Sequence, residues 1–439
     1  MNDGYEDLNG KKLLVLAGAG VHCKVVEAAR EMGIYTIVTD YLADSPAKLI
    51  ADESLMYNIF DIDDLVEFCR TNRVDGVLNF CVDPAQRPAY RIATRLNVPA
   101  FGSSEQVHVL TNKKRFKEIC LDNGVDVIPT YTVEDVGTNR VVFPVLVKPV
   151  DSRGSRGTSV CYTSEQLVKA LPGAKAESSN GEVIIEKYMS DNQDLTISYL
   201  VKDGNPILVS IGDRYSGREE DNLNRQLVCT IQPSRYADLY MDFVNDKVVN
   251  MIKSIGIKNG PVFMQGFVDG DTVRMYDPGI RFPGNEYERI HNKATGMNLV
   301  KSVISYVCGG PILSYDGRLH GSYDLNGLCA LQYMINVRAG KIATFDGLKE
   351  IADHPNVIDV QQRHFVGDMV ENTGDVRHRA GEISILVNRD VEEIIEVIKF
   401  VQSKLRVLDE EGRNMLISAF DYAKVRPLYS AVYGRTRGV

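Results

Sequence analysis

The sequence predicts a multidomain protein of mixed α/β and α+β class, and three observations support this prediction. The 439 residues correspond to roughly three domains at about 150 residues each. Short apolar strands alternate with helical segments between residues 11 and 108, as in a parallel sheet covered by helices. Several strand-like runs precede one long amphipathic helix near the other end of the chain.

The first block, residues 11–108, is predicted to be a parallel βαβ unit. Its expected strands cover 12–16, 34–39 and 76–81, because each is a short apolar run. Helical periodicity predicts helices at 21–32 and 63–70, and an Ala-Gly-Ala-Gly turn follows the first strand. Gly18, Gly20 and Asp40 imitate a dinucleotide-binding fingerprint, but Cys23 stands where the third glycine belongs. A nicotinamide cofactor is therefore a minor alternative.

The second block, residues 109–310, mixes strands and helices. The predicted elements cover 112–123, 143–147, 183–186, 195–201 and 242–255. Strands at 262–268 and 272–276 form a hairpin closed by Asp269-Gly270-Asp271. The polar segment 212–226 is expected to be a long mobile loop. It either closes over an acidic substrate through Arg214, Arg218 or Arg225, or is a solvated loop.

The third block, residues 311–420, is predicted to be a small α+β unit. Strand-like runs at 328–335, 341–346 and 382–387 precede a helix at 391–405 with one apolar face. Residues 421–439 are predicted to be a basic tail, because the stretch from Lys424 holds four basic residues and no acids. This composition is typical of a solvated tail or of a contact between subunits.

Charge and cysteine usage limit the possible partners. The net charge of −9 gives the chain no overall attraction for nucleic acid or for an anionic membrane, although a local basic pocket for a small anion stays possible. The polar start and the lack of a long apolar run predict a cytoplasmic protein. Eight scattered cysteines without a CxxC pair predict free, buried thiols.

Two lysines are placed to meet a polyphosphate. Lys113 opens a predicted helix, and Lys148 ends an apolar strand just before a loop rich in glycine, serine and arginine. Glycines in such a loop allow backbone N–H groups to approach phosphate oxygens. The candidate loop residues are Ser152, Gly154, Ser155 and Gly157. A P-loop is excluded because the GxxxxGK[ST] pattern is absent.

A strand that ends in an acid and passes into an apolar residue is suited to a purine pocket. Glu186-Lys187-Tyr188-Met189 has this pattern, with backbone groups for the base edge and Met189 for its face. Asp194 follows eight residues after Glu186, in reach of ribose hydroxyls. Taken alone, this segment is more readily interpreted as a strand that passes into a charged surface loop.

The predicted hairpin carries oxygen ligands suited to magnesium. Gln265 and Asp277 stand on its two strands, twelve positions apart, so their side chains converge if the turn lies near residue 270. Arg281 follows and is expected at the mouth of this site, where it would hold a phosphoryl group or a carboxylate.

The order of these motifs resembles the ATP-grasp superfamily over nearly the whole chain. The segments that carry the resemblance are TNKKRFKEIC, FPVLVKP, DSRGSRGTSV, IIEKYMSDNQDLTISYL, VFMQGFVDGDTVRMYDPGIRFPGN and GKIATFDGLKE. The resemblance implies a Rossmann-like pre-ATP-grasp domain at 11–108 and a two-lobed ATP-grasp domain at 109–310, with a glycine-rich lid near 145–210. Residues 311–420 are similar to the small closing domain of L-amino-acid ligases and biotin carboxylases.

The resemblance implies an ATP-dependent carboxylate–amine ligase that works through an acyl phosphate, with ATP and Mg²⁺ as cofactors. Lys113, Lys148 and the lid would bind phosphates, and Glu186, Lys187, Met189 and Asp194 would bind the nucleoside. Gln265 and Asp277 would bind metal, and Arg281 would stabilise the transferred group. The implied partners are a small-molecule carboxylate and an amine, neither nucleic acid nor membrane, and a second copy of the chain in a homodimer.

Departures from the family pattern leave two alternatives open. The family usually has Glu and then Glu-x-Asn where this chain has Gln265, Asp277 and Gly279. One metal ion at most is therefore expected, unless Glu286 or Glu288 compensates. The chain is then either an active divergent ligase or a catalytically weakened nucleotide sensor or partner subunit. A bicarbonate-using, carboxylase-like activity is the nearest enzymatic alternative.

Overall fold

The computed structural model describes residues 8–138, 140–150, 157–178, 180–189, 192–217, 226–285, 287–312, 322–373 and 376–433. Three sheets of four or more strands organise the described part of the chain. None of the helices in these ranges is long and apolar enough to cross a membrane. All eight cysteines lie in the described residues, none of them forms a disulfide there, and six of them are buried.

The first sheet is parallel and forms the N-terminal block. Its strands and helices are β1 (Lys12–Leu16), α1 (Cys23–Glu31), β2 (Tyr35–Thr39), α2 (Pro46–Ile50), β3 (Glu53–Leu55), α3 (Ile62–Asn72), β4 (Gly76–Leu78) and α4 (Gln86–Leu96). The strand order is β3-β2-β1-β4. Leu13 and Val15 pack with α1 on one face, whereas Leu14 and Leu16 pack with α3 and α4 on the other. A sheet buried on both faces explains the uninterrupted apolar run of β1.

The glycine turn after β1 is bonded to Asp40, the acid of the fingerprint-like spacing. The Asp40 carboxylate accepts a hydrogen bond from the Gly18 backbone N–H at 2.7 Å and another from the Leu42 N–H at 2.9 Å. Asp40 thus stabilises the local backbone, which accounts for the fingerprint-like spacing.

The second sheet is a small antiparallel layer that follows two helices. The elements are α5 (Ser104–Val109), α6 (Lys113–Asp122), β5 (Thr130–Tyr131), β6 (Val145–Pro149), β7 (Ser159–Cys161), α7 (Ser164–Ala176) and β8 (Val183–Lys187). The strand order is β5-β8-β6-β7. Helix α7 covers one face through Leu167, Leu171 and Ala174.

The third sheet has eight antiparallel strands and is the centre of the molecule. Its first part contains β9 (Asp194–Lys202), β10 (Asn205–Gly217), β11 (Gln226–Gln232), α8 (Ala237–Phe243), α9 (Asn245–Ile255), β12 (Gly260–Asp269), β13 (Thr272–Gly279), α10 (Tyr287–Thr295) and α11 (Leu299–Val307). The later elements are β14 (Leu328–Asn336), β15 (Gly340–Lys341), β16 (Thr344–Asp346), α12 (Leu348–Ala352), β17 (Val357–Gln362), β18 (Met369–Val370), β19 (Arg379–Asn388), α13 (Val391–Lys404), β20 (Arg406–Leu408) and α14 (Val425–Tyr433).

The order of the large sheet is β13-β12-β9-β10-β11-β14-β19-β17, so it runs across the expected boundary at residue 310. Strand β14 pairs with β11 from Cys229↔Tyr333 to Gln232↔Ala330. The second and third blocks therefore share one sheet. Without β14, strand β11 would be an edge strand with unpaired backbone N–H and C=O groups.

Two further expectations need correction. Segment 212–226 is not a loop throughout, because β10 continues to Gly217 and β11 begins at Gln226. The polar residues of this segment predicted a loop, but β10 carries polar side chains, such as Asp213, that are buried and hydrogen-bonded. Residues 425–433 are also not a solvated tail. They form α14, whose Val425, Tyr429 and Tyr433 are buried in a core that includes α13.

Candidate active site

A cleft of about 1000 Å³ lies between the N-terminal block and the other two sheets. Helix α4, helix α5 and the start of α6 form one wall, and β6 and the β12–β13 hairpin form the other. Its polar lining residues include Asp83, Arg87, Arg91, Glu105, His108, Asn112, Lys113, Lys148, Thr158, Gln265, Tyr276 and Asp277. The volume is at the upper end of the usual range for small-molecule sites, roughly 300–1000 Å³.

The cleft brings together four of the residues that the sequence singled out. Lys113, Lys148, Gln265 and Asp277 all line it, although they come from four separate elements. Gln265 and Asp277 are directly opposite in the register of the hairpin, as expected from the position of its turn. Two conditions for a nucleotide site, paired cations and a carboxylate, thus occur in one place.

Glu186 lies behind this lining and holds two lysines. Its carboxylate oxygens are 2.6 Å from Lys117 Nζ and 2.6 Å from Lys148 Nζ, and the side chain is 2% exposed. Burial would raise the pKa of Glu186, but the charges of Lys148 and Lys117 outweigh it and lower the pKa. Glu186 therefore carries a fixed negative charge that orients the Lys148 ammonium at the cleft wall.

Lys117 completes this cluster and was missed in the sequence. Its ammonium also donates to the Ile128 carbonyl at 2.8 Å and to Thr130 Oγ1 at 2.7 Å. Burial lowers the pKa of the Lys117 ammonium, against the attraction of Glu186. The available signal was the i,i+4 spacing from Lys113, which puts both lysines on one side of α6.

The loop after β6 is described only from Gly157 onward. Ser152, Gly154 and Ser155, the other predicted phosphate contacts, lie outside the described residues. Gly157 has φ +66°, and a Cβ there would come within 2.9 Å of Pro149 Cγ and Glu177 Cβ. Glycine is required at 157 by its backbone conformation and by this close packing.

The predicted purine segment follows the end of β8. The Lys187 N–H donates to the Pro129 carbonyl and the Tyr188 N–H donates to the Pro144 carbonyl, each at 2.9 Å. Met189 is buried with 3% exposure. These bonds fix the path of the segment and turn Met189 inward.

Asp194 is paired with an internal cation. Its Oδ2 accepts from Arg214 Nη1 at 2.6 Å, and its Oδ1 accepts from the Tyr276 hydroxyl at 3.0 Å. Burial raises the pKa of Asp194 to about 6, against the opposing charge of Arg214. Arg214, one of three loop arginines expected to grip a substrate, thus bonds within the protein instead. Arg218 and Arg225 lie outside the described residues.

Gln265 also contacts Arg214. With its amide oriented to satisfy both groups, the Gln265 oxygen accepts from Arg214 Nη1 and Nη2 at 2.5 and 3.1 Å, and its nitrogen donates to the Tyr276 hydroxyl at 3.0 Å. A cation close to this oxygen opposes the binding of a metal ion there. No local sequence pattern indicates this contact, because it joins strands β10 and β12.

Asp277 is the remaining candidate for a metal ligand. Burial raises the pKa of Asp277, against the opposing charges of Lys113 and Arg281. One carboxylate together with phosphate oxygens and water suits Mg²⁺, so these residues fit a single ion. In the described part of the chain, no group of three or more His, Cys, Asp or Glu side chains is arranged to hold a metal.

Arg281 differs from its expected place at the mouth of the site. Its side chain is 7% exposed, its Nε donates to Asp83, and its Nη1 donates to the Phe282 carbonyl at 2.8 Å. A Cβ at Gly279 would lie 3.2 Å from Arg281 Cγ. The missing side chain at 279 therefore leaves room for the buried arginine.

The two downstream acids do not supply an additional described ligand. Glu286 lies outside the described residues. Glu288 is buried in an ion pair with Lys24 at 2.8 Å, and Lys24 also lies 4.9 Å from the centre of the Phe80 ring. This pair joins α10 to α1, which is a structural role.

Comparison with known proteins identifies the central domain. Residues 112–311 match the family model described as the carbamoyl-phosphate synthase L chain, ATP binding domain. This segment is an ATP-grasp domain, so the resemblance found in the motifs is confirmed.

Relatives of the chain are similar at low sequence identity. A formate-dependent phosphoribosylglycinamide formyltransferase of Wolinella succinogenes is 24% identical over 207 residues, which cover 43% of this chain and 50% of that protein. Biotin carboxylase 1 of Bacillus subtilis is 23% identical over 327 residues, covering 68% and 70%. The chain thus spans half of the first relative's length and somewhat more of the second's.

A solved structure extends the likeness to nearly the whole fold. The crystal structure of L-amino acid ligase from Bacillus licheniformis matches with a TM-score of 0.75 and 19% identity. The match covers 92% of this chain and 99% of that one. At this identity, the likeness concerns the fold, and the chemistry has to be argued from the cleft.

Proposed function

We propose that this chain is an ATP-dependent carboxylate–amine ligase acting on an amino acid or a small carboxylic acid. The observation that carries the proposal is the cleft in which Lys113, Lys148 and Asp277 meet. Two ammonium groups opposite one carboxylate suit a polyphosphate with a single divalent ion. ATP and Mg²⁺ are therefore the proposed cofactors.

Each residue has a separate task in this proposal. Lys113 and Lys148 would neutralise phosphate oxygens, and Glu186 would keep Lys148 in place. The segment at Lys187 and Met189 would hold the base, with Asp194 near the ribose and Gly157 and the adjacent loop residues near the phosphates. Asp277 would hold one Mg²⁺, which supplies charge neutralisation when bound. Gln265 would act through Arg214 and Tyr276 rather than as a metal ligand.

The reaction follows from the chemistry of a carboxylate. A carboxylate oxygen attacks the γ-phosphorus of ATP, the bond to the bridging oxygen breaks, and ADP leaves with its electron pair. The resulting acyl phosphate is attacked at carbon by a neutral amine, phosphate leaves, and the amine loses one proton. Positioning and electrostatic stabilisation suffice for both steps. Arg281 would act on the transferred group only after its bond to Asp83 loosens.

The test is a screen of carboxylate and amine pairs for ADP release, with product detection by mass spectrometry. We expect one class of pairs to give stoichiometric ADP and amide. Lys148→Ala should abolish the activity, whereas Lys202→Ala, at the other end of β9 from Asp194, should retain it. A folded protein that binds ATP but releases no ADP with any pair would contradict the proposal.

A nucleotide sensor or partner subunit is the second candidate. It is favoured by the bonds of Gln265 to Arg214 and by the absence of a ligand side chain at Gly279. In that case the protein binds ATP without hydrolysing it. Restoring the family residues at Gln265, Asp277 and Gly279 would then create ATPase activity but no ligation product. Bicarbonate-dependent ADP release without an amine would instead support the carboxylase-like alternative. Size measurement in solution tests the proposed homodimer.

A further inference from the structure

We propose that the part of the cleft formed by α4 binds an anionic group of the second substrate, through Arg87 and Arg91. These arginines are one helical turn apart, and both line the cleft. Two guanidinium groups at this spacing suit the oxygens of one carboxylate or phosphate. The assignment of the cleft to a second substrate rests on the proposed function, whereas anion binding can be measured without ATP.

The two arginines differ in their partners from three arginines on or next to strands of the large sheet. Arg214, Arg281 and Arg274 each have an aspartate within ion-pair distance. Within the described residues, no carboxylate lies within 4 Å of the guanidinium of Arg87 or Arg91. Their positive charges are therefore not neutralised inside the described protein, and they face the cleft.

Arg87 is held by a neutral acceptor. Its Nη2 donates to His108 Nδ1 at 2.7 Å, which requires the tautomer with the proton on Nε2. A neutral imidazole orients the guanidinium without cancelling its charge. Three acidic residues line the same cleft: Asp83 bonds to Arg281, Glu105 lies 4.0 Å from Arg115, and Asp277 stands on the β12–β13 hairpin.

The same helix supplies a natural control. Arg95 follows Arg91 by one further turn but does not line the cleft. Its guanidinium forms an ion pair with Asp63. Helix α4 thus carries two arginines that line the cleft, Arg87 and Arg91, and one arginine that is ion-paired away from it, Arg95.

Apolar side chains that line the same cleft as the two arginines indicate a second property of the ligand, an apolar body. Phe60, Ile62, Pro84 and Pro88 line the same end of the cleft, and Phe60 is 56% exposed. Charged and apolar side chains together predict an anion attached to an apolar or aromatic body. The anion is either a carboxylate or a phosphate ester, and the experiment separates these sources.

The experiment uses a fluorescent reporter in the full chain, which contains no tryptophan. In the Phe60→Trp protein, phenylacetate and phenyl phosphate are titrated separately, with benzyl alcohol as the neutral analogue. We expect saturable binding of at least one anion and none of the alcohol. Arg87→Gln and Arg91→Gln should each weaken that binding about tenfold, and Arg95→Gln should not change it.

Calorimetric titration of the unmodified chain with the same compounds controls for the reporter substitution. Equal affinity in the parent and in the Arg87 and Arg91 variants would overturn the proposal, as would a failure of both anions to bind. ADP titration of the same variants separates the two proposals. Retained ADP binding with lost anion binding supports the anion site, whereas loss of both in a folded variant contradicts separate sites.

Discussion

The side-chain oxygen of Gln265 faces the guanidinium of Arg214, at 2.5 Å from one nitrogen and 3.1 Å from the other. The position that the family resemblance gives to a metal-binding acid thus lies next to a fixed positive charge. Arg214 is itself paired with Asp194 at 2.6 Å. In the proposed site, one ion bound by Asp277 and the guanidinium of Arg214 would together offset the negative charge of the phosphates.

Restoring the acid at 265 should not by itself restore a metal site. We expect Gln265→Glu to pair with Arg214 and to leave Mn²⁺ affinity in the presence of ADP within about threefold of the parent. Electron paramagnetic resonance of Mn²⁺ measures this affinity. With Arg214→Met and Asp194→Asn as the background, adding Gln265→Glu should raise the affinity about tenfold. Tight binding of a second ion by Gln265→Glu alone would show that Arg214 does not exclude metal.

Glu186 should give a distinct pH dependence of stability. Glu186→Gln leaves the buried Lys117 and the partly buried Lys148 without their counter-ion and should cost about 3 kcal/mol at pH 7. Because the pKa of Glu186 is lowered in the folded protein, the stabilisation is present above the unfolded-state pKa and is lost as pH falls through the folded-state pKa. Urea unfolding of both proteins between pH 7 and pH 3 measures the difference. The exposed Glu182→Gln is the control, and a pH-independent difference would contradict the ion-pair explanation.

The two lysines on Glu186 should separate ligand binding from stability. Lys148 lines the cleft, so Lys148→Ala should weaken ADP binding at least about tenfold. It should also lower stability, because Glu186 loses one of its two counter-ions, but by less than Lys117→Ala. Lys117 makes its bonds inside the protein, so Lys117→Ala should lower stability by about 2–3 kcal/mol. Calorimetric titration and thermal unfolding give both values. Equal losses of ADP affinity and of stability in the two variants would contradict the separate roles of Lys148 and Lys117.

The C-terminal helix should contribute stability through one charged hydrogen bond. The Tyr429 hydroxyl donates to the buried Asp213 carboxylate, which also accepts from Ser234 Oγ at 2.6 Å. Tyr429→Phe should cost about 2 kcal/mol, because bonds to charged groups contribute roughly 1.5–3 kcal/mol. Tyr433→Phe removes a bond to the neutral Pro233 carbonyl and should cost about 1 kcal/mol. Chemical unfolding of the two variants checks this order.

Local patterns predicted most of the regular elements. The apolar run of β1 and the turn of the β12–β13 hairpin are properties of short segments, and both occur where the sequence puts them. Lys113, Lys148 and Asp277 were found because each stands at the end of such an element. Burial was harder to predict, since Gly212, Asp213 and one face of α14 are buried by contacts with distant segments.

The internal partners of the site residues could not be predicted. Asp194 pairs with a residue 20 positions away, and Arg281 pairs with one 198 positions away. Nothing in the local sequence specifies such contacts, because they depend on how the sheets meet. The sequence therefore identifies charged groups of the cleft, and the fold determines which of them are already neutralised.

The bond between Tyr429 and Asp213 also bears on biosynthesis. The two residues are 216 positions apart, so Asp213 emerges from the ribosome before Tyr429 has been synthesised. In a nascent chain, the carboxylate has Ser234 nearby, but the Tyr429 phenol of α14 is added only 216 residues after Asp213. Domains generally fold as units during synthesis, with the N-terminal ones first. The strand that carries Arg214 therefore reaches its final environment only after residues up to 429 have been made.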